Sequence, residues 1–212
     1  DLSVFANAGT LGTVDVAARE RFRQQMKKLQ GSFNAIAEVR FPVIAAIQGG
    51  CIGGGVDLAS ACCLRYCSAD AWFCIQEINI GMMADVGTMN RMPKQLPEAV
   101  MRELAYTGDR LGAERAERLG FVNGLFDDAA ATVAGALAVA QKIAARAPAA
   151  VAASKEMIGY SRDHSVAESF SYMNALQPGV FDPDDIARAV AAQKSGQPAQ
   201  FGDLAPIAPP LG

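Results

Sequence analysis

Apolar residues recur every three or four positions between Phe22 and Ala37, and this spacing predicts an amphipathic α-helix. The helix starts at a capping residue, Thr13 or Asp15, and runs to about Arg40. Pro42 ends it, because proline disfavours the helical conformation of the residue before it. The spacing predicts one buried stripe, made of Phe22, Met26, Leu29, Phe33, Ile36 and Ala37.

Short apolar or β-branched runs then replace the helical spacing, and continuous runs of this length are typical of strands buried on both faces in α/β proteins. The predicted strands lie at residues 43–47, 64–67, 72–75 and 121–126. A glycine-rich turn at 48–55 leads from the first strand into a helix at 56–63. A turn at 68–70 separates the second and third strands.

From residue 88 onward the chain is mainly helical. Helices are predicted at 88–96, 98–106, 112–119, 129–146, 149–161 and 166–176, and a last one runs from a cap at Asp182 to about residue 194. The proline-containing end has no periodicity and predicts an extended tail. The predicted organisation is an α/β core over residues 1–126, a helical region over 127–195 and a tail over 196–212.

Composition and charge narrow the class of function. The 212 residues carry a net charge of −3 and are 51% hydrophobic, which suits one domain with a sizeable core. Dispersed charge of this size argues against a nucleic-acid groove or a polybasic membrane patch, but leaves room for a small site for a phosphorylated ligand. No apolar run has the length of a membrane span, and residues 1–10 lack the pattern of a secretion signal.

The five cysteines all lie within apolar runs of the central segment and form no CxxC pair. The single histidine, His164, is distant in sequence. This pattern predicts reduced, buried thiols in a reducing compartment rather than a zinc site.

A run of three glycines, Gly53 to Gly55, opens the predicted helix of the central segment. Free backbone N–H groups at a helix start can bind an anion or an oxygen that becomes negative during a reaction. The run matches neither a P-loop nor a dinucleotide fingerprint. A plain tight turn explains it equally well from the residues alone.

Three carboxylates stand in the same apolar segment: Asp57, Glu77 and Asp85. Burying a carboxylate is costly or shifts its pKa, and carboxylates whose pKa values differ can act as acid and base. From composition alone, each can instead be a solvated or helix-capping residue.

Four motifs in order identify the chain as similar to the crotonase (enoyl-CoA hydratase/isomerase) superfamily: PVIAA at 42–46, GGGVDL at 53–58, QEINIG at 76–81 and TGDR at 107–110. The resemblance implies an α/β fold, the crotonase-type ββα superhelix, followed by a C-terminal helical trimerisation region. It implies an acyl-CoA thioester as substrate, no cofactor, since coenzyme A is part of that substrate, and no metal. It also implies a homo-oligomer that is a trimer or a dimer of trimers. Asp1-Leu2 resembles the end of a family segment, which implies that the first strands lie upstream.

Within the superfamily the chain resembles the Δ3,5-Δ2,4-dienoyl-CoA isomerases, through GGCIGGGVDL at 49–58, RYC at 65–67, ADVGT at 84–88 and YSRDHSVAES at 160–169. The resemblance implies a 1,5-proton shift in fatty-acid β-oxidation, with Asp85 removing a proton from C2 and Glu77 protonating C6. Asp57 is expected to help keep one acid protonated. The Gly54 N–H is expected in the oxyanion hole, with a second donor upstream of Asp1.

Further residues are expected to bind the substrate: Ile52, Gly53, Gly55, Met82, Met83 and Lys155. Lys155 is proposed as a contact to coenzyme A phosphates, with a solvated helix face as the alternative. Two other functions stay open. One is a 2-trans-enoyl-CoA hydratase that uses Asp57 and Glu77 on water, and the other is a non-catalytic acyl-CoA-binding scaffold. A bacterial cytoplasm is the expected compartment, or a mitochondrial or peroxisomal matrix in a eukaryote.

Overall fold

The computed structural model describes residues 15–207. The alternative cap Thr13, the Asp1-Leu2 start and the last five residues of the predicted tail lie outside this range. The strands are β1 (Ile44–Ile47), β2 (Gly50–Ile52), β3 (Leu64–Ser68), β4 (Trp72–Cys74), β5 (Leu111–Gly112) and β6 (Gly124–Phe126). The helices are α1 (Val16–Glu38), α2 (Gly54–Ala61), α3 (Thr88–Arg91), α4 (Glu98–Thr107), α5 (Ala113–Arg118), α6 (Ala129–Ala144), α7 (Pro148–Asp163), α8 (Val166–Val180) and α9 (Pro183–Ser195).

Helix α1 begins where its capping residue predicts, because the Asp15 carboxylate accepts from the Ala18 N–H at 2.7 Å. The predicted buried stripe is wrong, since none of the residues of α1 is buried and Phe22 and Leu29 are 44% and 46% exposed. Helix α1 packs against the rest of the chain along one narrow side, and α2 is one of its partners there. A polar residue, Gln30, lies half-buried on that side.

The strands form two three-stranded sheets, with orders β1-β3-β6 and β2-β4-β5. The first sheet is parallel, and in the second β2 is parallel and β5 antiparallel to β4. The strand pieces on either side of the turn at 68–70 therefore lie in different sheets. Strands β2 and β5 escaped the sequence pattern because two or three residues show no periodicity. The predicted last strand shortens to Gly124–Phe126, and the predicted helix at 88–96 divides into α3 and a 3₁₀ turn at Met92–Lys94.

The core fills the space between the sheets and helices α2 to α5. Phe73 and Phe121 meet edge to face there, with ring centroids 5.1 Å apart. The predicted burial of the cysteines is confirmed for Cys51, Cys62, Cys67 and Cys74, whereas Cys63 is half-buried. Burial raises the pKa of the Cys51 thiol to about 12.

The helices that follow β6 differ in how they pack. Helix α6 lies against β1, β3 and β6, whereas α7 and α8 pack mainly on one another. Helix α8 starts with a capping box between Ser165 and Glu168 and continues through Pro178 to Val180, beyond its predicted end. Across residues 15–207, no helix combines the length and the apolar character needed to cross a membrane.

Candidate active site

The glycine run places unpaired backbone donors at the start of α2. Gly53 has a φ of +52° and a ψ of −115°, and its carbonyl accepts from the Val56 and Asp57 N–H groups. Within residues 15–207, the Gly54 and Gly55 N–H groups have no such acceptor. A Cβ atom at Gly54 would meet nothing within 4 Å, so there is open space beside this residue. This arrangement suits an anion or a developing oxyanion.

Glu77 lies directly beside this turn. It belongs to a short 3₁₀ helix, Gln76–Ile80, which ends at Gly81 with a φ of +78°. Its Oε1 lies 2.9 Å from the position that a Cβ atom would take at Gly53. Position 53 therefore favours glycine for two reasons. Any other residue would be strained at this positive φ, and its Cβ atom would crowd the Glu77 carboxylate.

Asp57 is the most deeply buried of the three predicted carboxylates, at 1% exposure. Its Oδ1 accepts two hydrogen bonds from Thr88, one from the backbone N–H and one from the hydroxyl, both at 2.7 Å. Asp57 thereby ties α2 to the start of α3. The sequence analysis did not single out Thr88, and the pairing spans 31 residues, so no local pattern signals it.

Asp85 lies in the acidic loop, residues 81–87, which connects the 3₁₀ helix to α3. The residue is half-buried, and within the described chain its carboxylate makes no hydrogen bond. The pKa of Glu77 is raised mainly by burial, and the negative charges of Asp57 and Asp85 raise it further. The fold therefore brings the three predicted carboxylates close enough to act on one another electrostatically.

Three other predicted substrate contacts lie close in sequence to the glycine run or to Asp85. Ile52 and Met83 are 42% and 67% exposed, and Met82 is half-buried. Ile52 precedes the glycine run, and the two methionines precede Asp85 in the acidic loop. Their part in substrate binding stays a prediction.

Lys155 is in a different place from the carboxylates. Its ammonium group donates to three backbone carbonyls at the end of α1: Val39 at 2.6 Å, Phe41 at 3.0 Å and Ile36 at 3.4 Å. Lys155 also lines a cavity of about 730 Å³ between the end of α1, helices α7 to α9 and residues 202–205. None of the three carboxylates lines this cavity. Since an ammonium group has three donors, the predicted phosphate contact would have to displace one of these carbonyls.

Two further residues that the sequence analysis passed over support the acidic loop. Gln30 of α1 donates to the Asp85 carbonyl, and the Arg91 guanidinium packs against Gly87. Within the described residues, no three His, Cys, Asp or Glu side chains are grouped as a metal site would require.

Comparison with known proteins identifies the family of the chain. The family model described as enoyl-CoA hydratase/isomerase matches residues 3–203. The human mitochondrial Δ3,5-Δ2,4-dienoyl-CoA isomerase is 42% identical over 171 residues, covering 80% of this chain and 52% of that protein. The peroxisomal protein of the same name from Arabidopsis thaliana is 36% identical over 203 residues, covering 96% and 73%.

Solved structures give the same result for the fold. An enoyl-CoA hydratase from Mycobacterium marinum superposes with a TM-score of 0.73 at 37% identity, covering 77% of this chain and 66% of that one. The chain spans about half the length of the mammalian relatives it matches. The predicted crotonase-type α/β fold is confirmed, and the chain belongs to the enoyl-CoA hydratase/isomerase family.

Proposed function

We propose that this chain carries the active site of a dienoyl-CoA isomerase, which converts 3,5-dienoyl-CoA to 2,4-dienoyl-CoA. The observation that carries the proposal is the third carboxylate, because the charge of Asp85, like that of Asp57, lies near enough to raise the pKa of Glu77. The names of the 42% and 36% identical relatives support the same reaction.

The proposed reaction moves one proton off the substrate and another onto it. The Asp85 carboxylate removes a proton from C2, and the electrons spread over C2, C4, C6 and the thioester oxygen. Protonated Glu77 then delivers its proton to C6, so the double bonds move from positions 3 and 5 to positions 2 and 4. The raised pKa of Glu77 supports its role as the donor, because it favours the neutral acid.

The negative thioester oxygen needs hydrogen-bond donors. The Gly54 N–H is the proposed donor, because it lies at the start of α2 and has no backbone acceptor within residues 15–207. One such donor is worth roughly 3–4 kcal/mol in the transition state. The neighbouring Gly55 N–H reinforces the positive end of the helix.

Hydration is the second candidate, and the solved relatives titled enoyl-CoA hydratase favour it. A hydratase would use Asp57 and Glu77 to hold the reacting water. Asp57 suits this role poorly, because its Oδ1 already accepts two hydrogen bonds from Thr88. Only its second oxygen remains for water.

The substrate class and the assembly belong to the same proposal. We propose an acyl-CoA thioester as substrate, no cofactor, since coenzyme A is part of that substrate, and a homo-oligomer built by the helical region 127–195. Exposed apolar side chains on α8, at Val166, Phe170 and Met173, support such an interface. The free thiols support a reducing compartment, either a bacterial cytoplasm or one of the organelle matrices named for the relatives.

An absorbance assay with 3,5-dienoyl-CoA and 2-trans-enoyl-CoA in parallel tests the proposal. We expect the longer-wavelength 2,4-dienoyl absorbance to grow, with little loss of enoyl absorbance. Asp85→Asn should reduce isomerisation about 10²- to 10⁴-fold, because it removes the base. The matched control is Asp127→Asn, since Asp127 is exposed and remote in sequence.

The opposite result would change the assignment. Hydration without dienoyl conversion, unaffected by Asp85→Asn, would make the protein a hydratase. Binding of CoA thioesters without turnover of either substrate would make it a scaffold.

A further inference from the structure

The acidic loop is held from the outside by one face of α1. The Gln30 side-chain amide donates to the Asp85 carbonyl at 2.7 Å, across 55 residues of sequence. One turn further along α1, the Asn34 side-chain oxygen accepts a hydrogen bond from the Arg91 guanidinium. Residues four apart lie on the same face of a helix, so both contacts arise from one stripe.

Arg91 carries the second contact to the end of the acidic loop. A methyl group on Gly87 would overlap the Arg91 guanidinium, so the guanidinium rests directly on the Gly87 backbone. Gly87 has a φ of +144°, which favours glycine and fixes the step from the loop into α3. Gln30 thus holds the middle of the loop, and Asn34 holds its end through Arg91.

The loop needs this support because Asp85 has little of its own. Within residues 15–207 the Asp85 carboxylate makes no hydrogen bond, so the loop backbone decides where it points. Asp57 and Thr88 anchor only the residue after the loop. Proton transfer needs the acid and base within hydrogen-bond reach, and a displacement of 1 Å can reduce the rate about 10²-fold.

We propose that Gln30 and Asn34 are positioning residues, a two-point clamp on α1 that holds the acidic loop so that Asp85 meets the reacting carbon. The catalytic consequence rests on the proposed isomerase function, whereas the clamp itself concerns only the loop. The two parts can therefore fail separately, and each has its own measurement.

Hydrogen exchange followed by mass spectrometry tests the clamp without any substrate. In Gln30→Met we expect at least tenfold faster exchange of the amides of residues 81–88. Gln24→Met is the matched control, because Gln24 is exposed on the same helix and, within residues 15–207, its side chain bonds only to Glu20. Asn34→Leu should also loosen the loop, whereas Asn34→Asp keeps an acceptor for Arg91 and should preserve protection. Equal exchange in Gln30→Met and Gln24→Met would overturn the clamp.

Kinetics tests the consequence for catalysis. Gln30→Met should lower kcat for dienoyl-CoA isomerisation about 10- to 100-fold, with KM changed less than about threefold. In an Asp85→Asn background the same substitution should cause no further loss, because the two residues act as one unit. An unchanged kcat, or an equal loss in both backgrounds, would overturn the positioning role. If the unmodified protein does not isomerise dienoyl-CoA, the proposed function fails, and hydrogen exchange still decides the clamp.

Discussion

The segment from β2 to α3 and the helices α7 to α9 differ in which residues they bury: the first buries polar side chains, and the second leaves apolar side chains exposed. In the first, Asp57 and Thr88 form a buried polar pair joined by two hydrogen bonds. In the second, Ser169 is the one buried residue within the described helices, and Phe170 is 59% exposed. The comparison teaches that polar contacts within the chain hold the carboxylate segment, whereas the C-terminal helices leave large apolar side chains exposed.

The contacts that hold the C-terminal helices explain the contrast. Tyr160 of α7 stacks on Tyr172 of α8, with ring centroids 4.1 Å apart. An ion pair between Lys94 and Asp163 and the Lys155 bonds to α1 join α7 to the rest of the chain. Exposed ion pairs contribute little to stability, so these helices depend mainly on packing against each other. Substitutions in the two regions should therefore have different consequences.

The largest effect is expected from Glu77→Gln, which removes the proposed proton donor. Isomerisation should fall about 10²- to 10⁴-fold, because general acid catalysis contributes a factor of that size. The folded protein should become more stable at neutral pH, since a half-buried negative charge near two others is lost. Parallel rate assays and urea denaturation measure both quantities. A loss of activity together with a loss of stability would mean that Glu77 is structural.

Among the substitutions considered for the segment from β2 to α3, Asp57→Ala should be the most destabilising. It leaves the two Thr88 donors without an acceptor, which costs about 3 kcal/mol in the free energy of unfolding. Asp57→Asn keeps an oxygen acceptor and should cost about 1 kcal/mol. Thermal unfolding should separate the two variants, at roughly 2–4 °C per kcal/mol. Equal midpoints would show that the Thr88 hydrogen bonds are not important for stability.

Phe170→Asp should act on assembly rather than on the fold of the chain. A charge in the centre of an apolar interface should weaken association by about 2 kcal/mol or more. Light scattering after size exclusion should show smaller species, while the free energy of unfolding at low concentration changes by less than about 0.5 kcal/mol. Ala175→Asp is the control, because Ala175 is exposed and lies about 140° around the helix from Phe170. If both variants dissociate, the interface is not centred on Phe170.

The dependence of stability on pH should report Glu77 with a smaller effect. Its pKa is raised in the folded protein, so the folded state holds this proton more tightly than the unfolded state. The resulting stabilisation is complete below the unfolded pKa of about 4.3 and is lost as pH rises through the folded pKa. The advantage of Glu77→Gln over the unmodified protein should therefore grow with rising pH. Urea midpoints at several pH values measure it, and a constant difference would contradict the raised pKa.

The smallest effect is expected from Ser165→Ala at the start of α8. The substitution removes half of the capping box with Glu168, which costs about 1 kcal/mol. Because α8 packs mainly on α7, the loss should appear as faster amide exchange in α8 and leave the β-sheet amides unchanged. Faster exchange in the sheets would show that the C-terminal helices and the core unfold together.

Much of the fold was open to prediction from the sequence. Long helices were found because their spacing or capping residues are local signals, as Asp15 and Asp182 illustrate. Strands β2 and β5 were missed because their hydrogen bonds, rather than their residues, define them. The α1 stripe was wrong because a helix that packs along one narrow side leaves part of its apolar face exposed.

The residues of the candidate site show the same division. Asp57, Glu77, Asp85 and the glycine run could be named from the sequence, because unusual residues in an apolar segment stand out. Their supports could not, since Gln30 and Thr88 are ordinary polar residues whose partners lie 55 and 31 positions away. Lys155 shows the converse, because its place on a helix gave no sign that its ammonium group would bond to the end of α1.

The sequence by itself determined the family, the helices and the chemical groups available for catalysis, because each depends on residue type and short-range order. Only the tertiary structure decided what those groups touch. It placed the Glu77 carboxylate against Gly53, gave both Thr88 donors to Asp57 and set α1 against the acidic loop. The physical reason is that pKa values and side-chain directions follow from neighbours in space, and a chain brings distant segments together only when it folds.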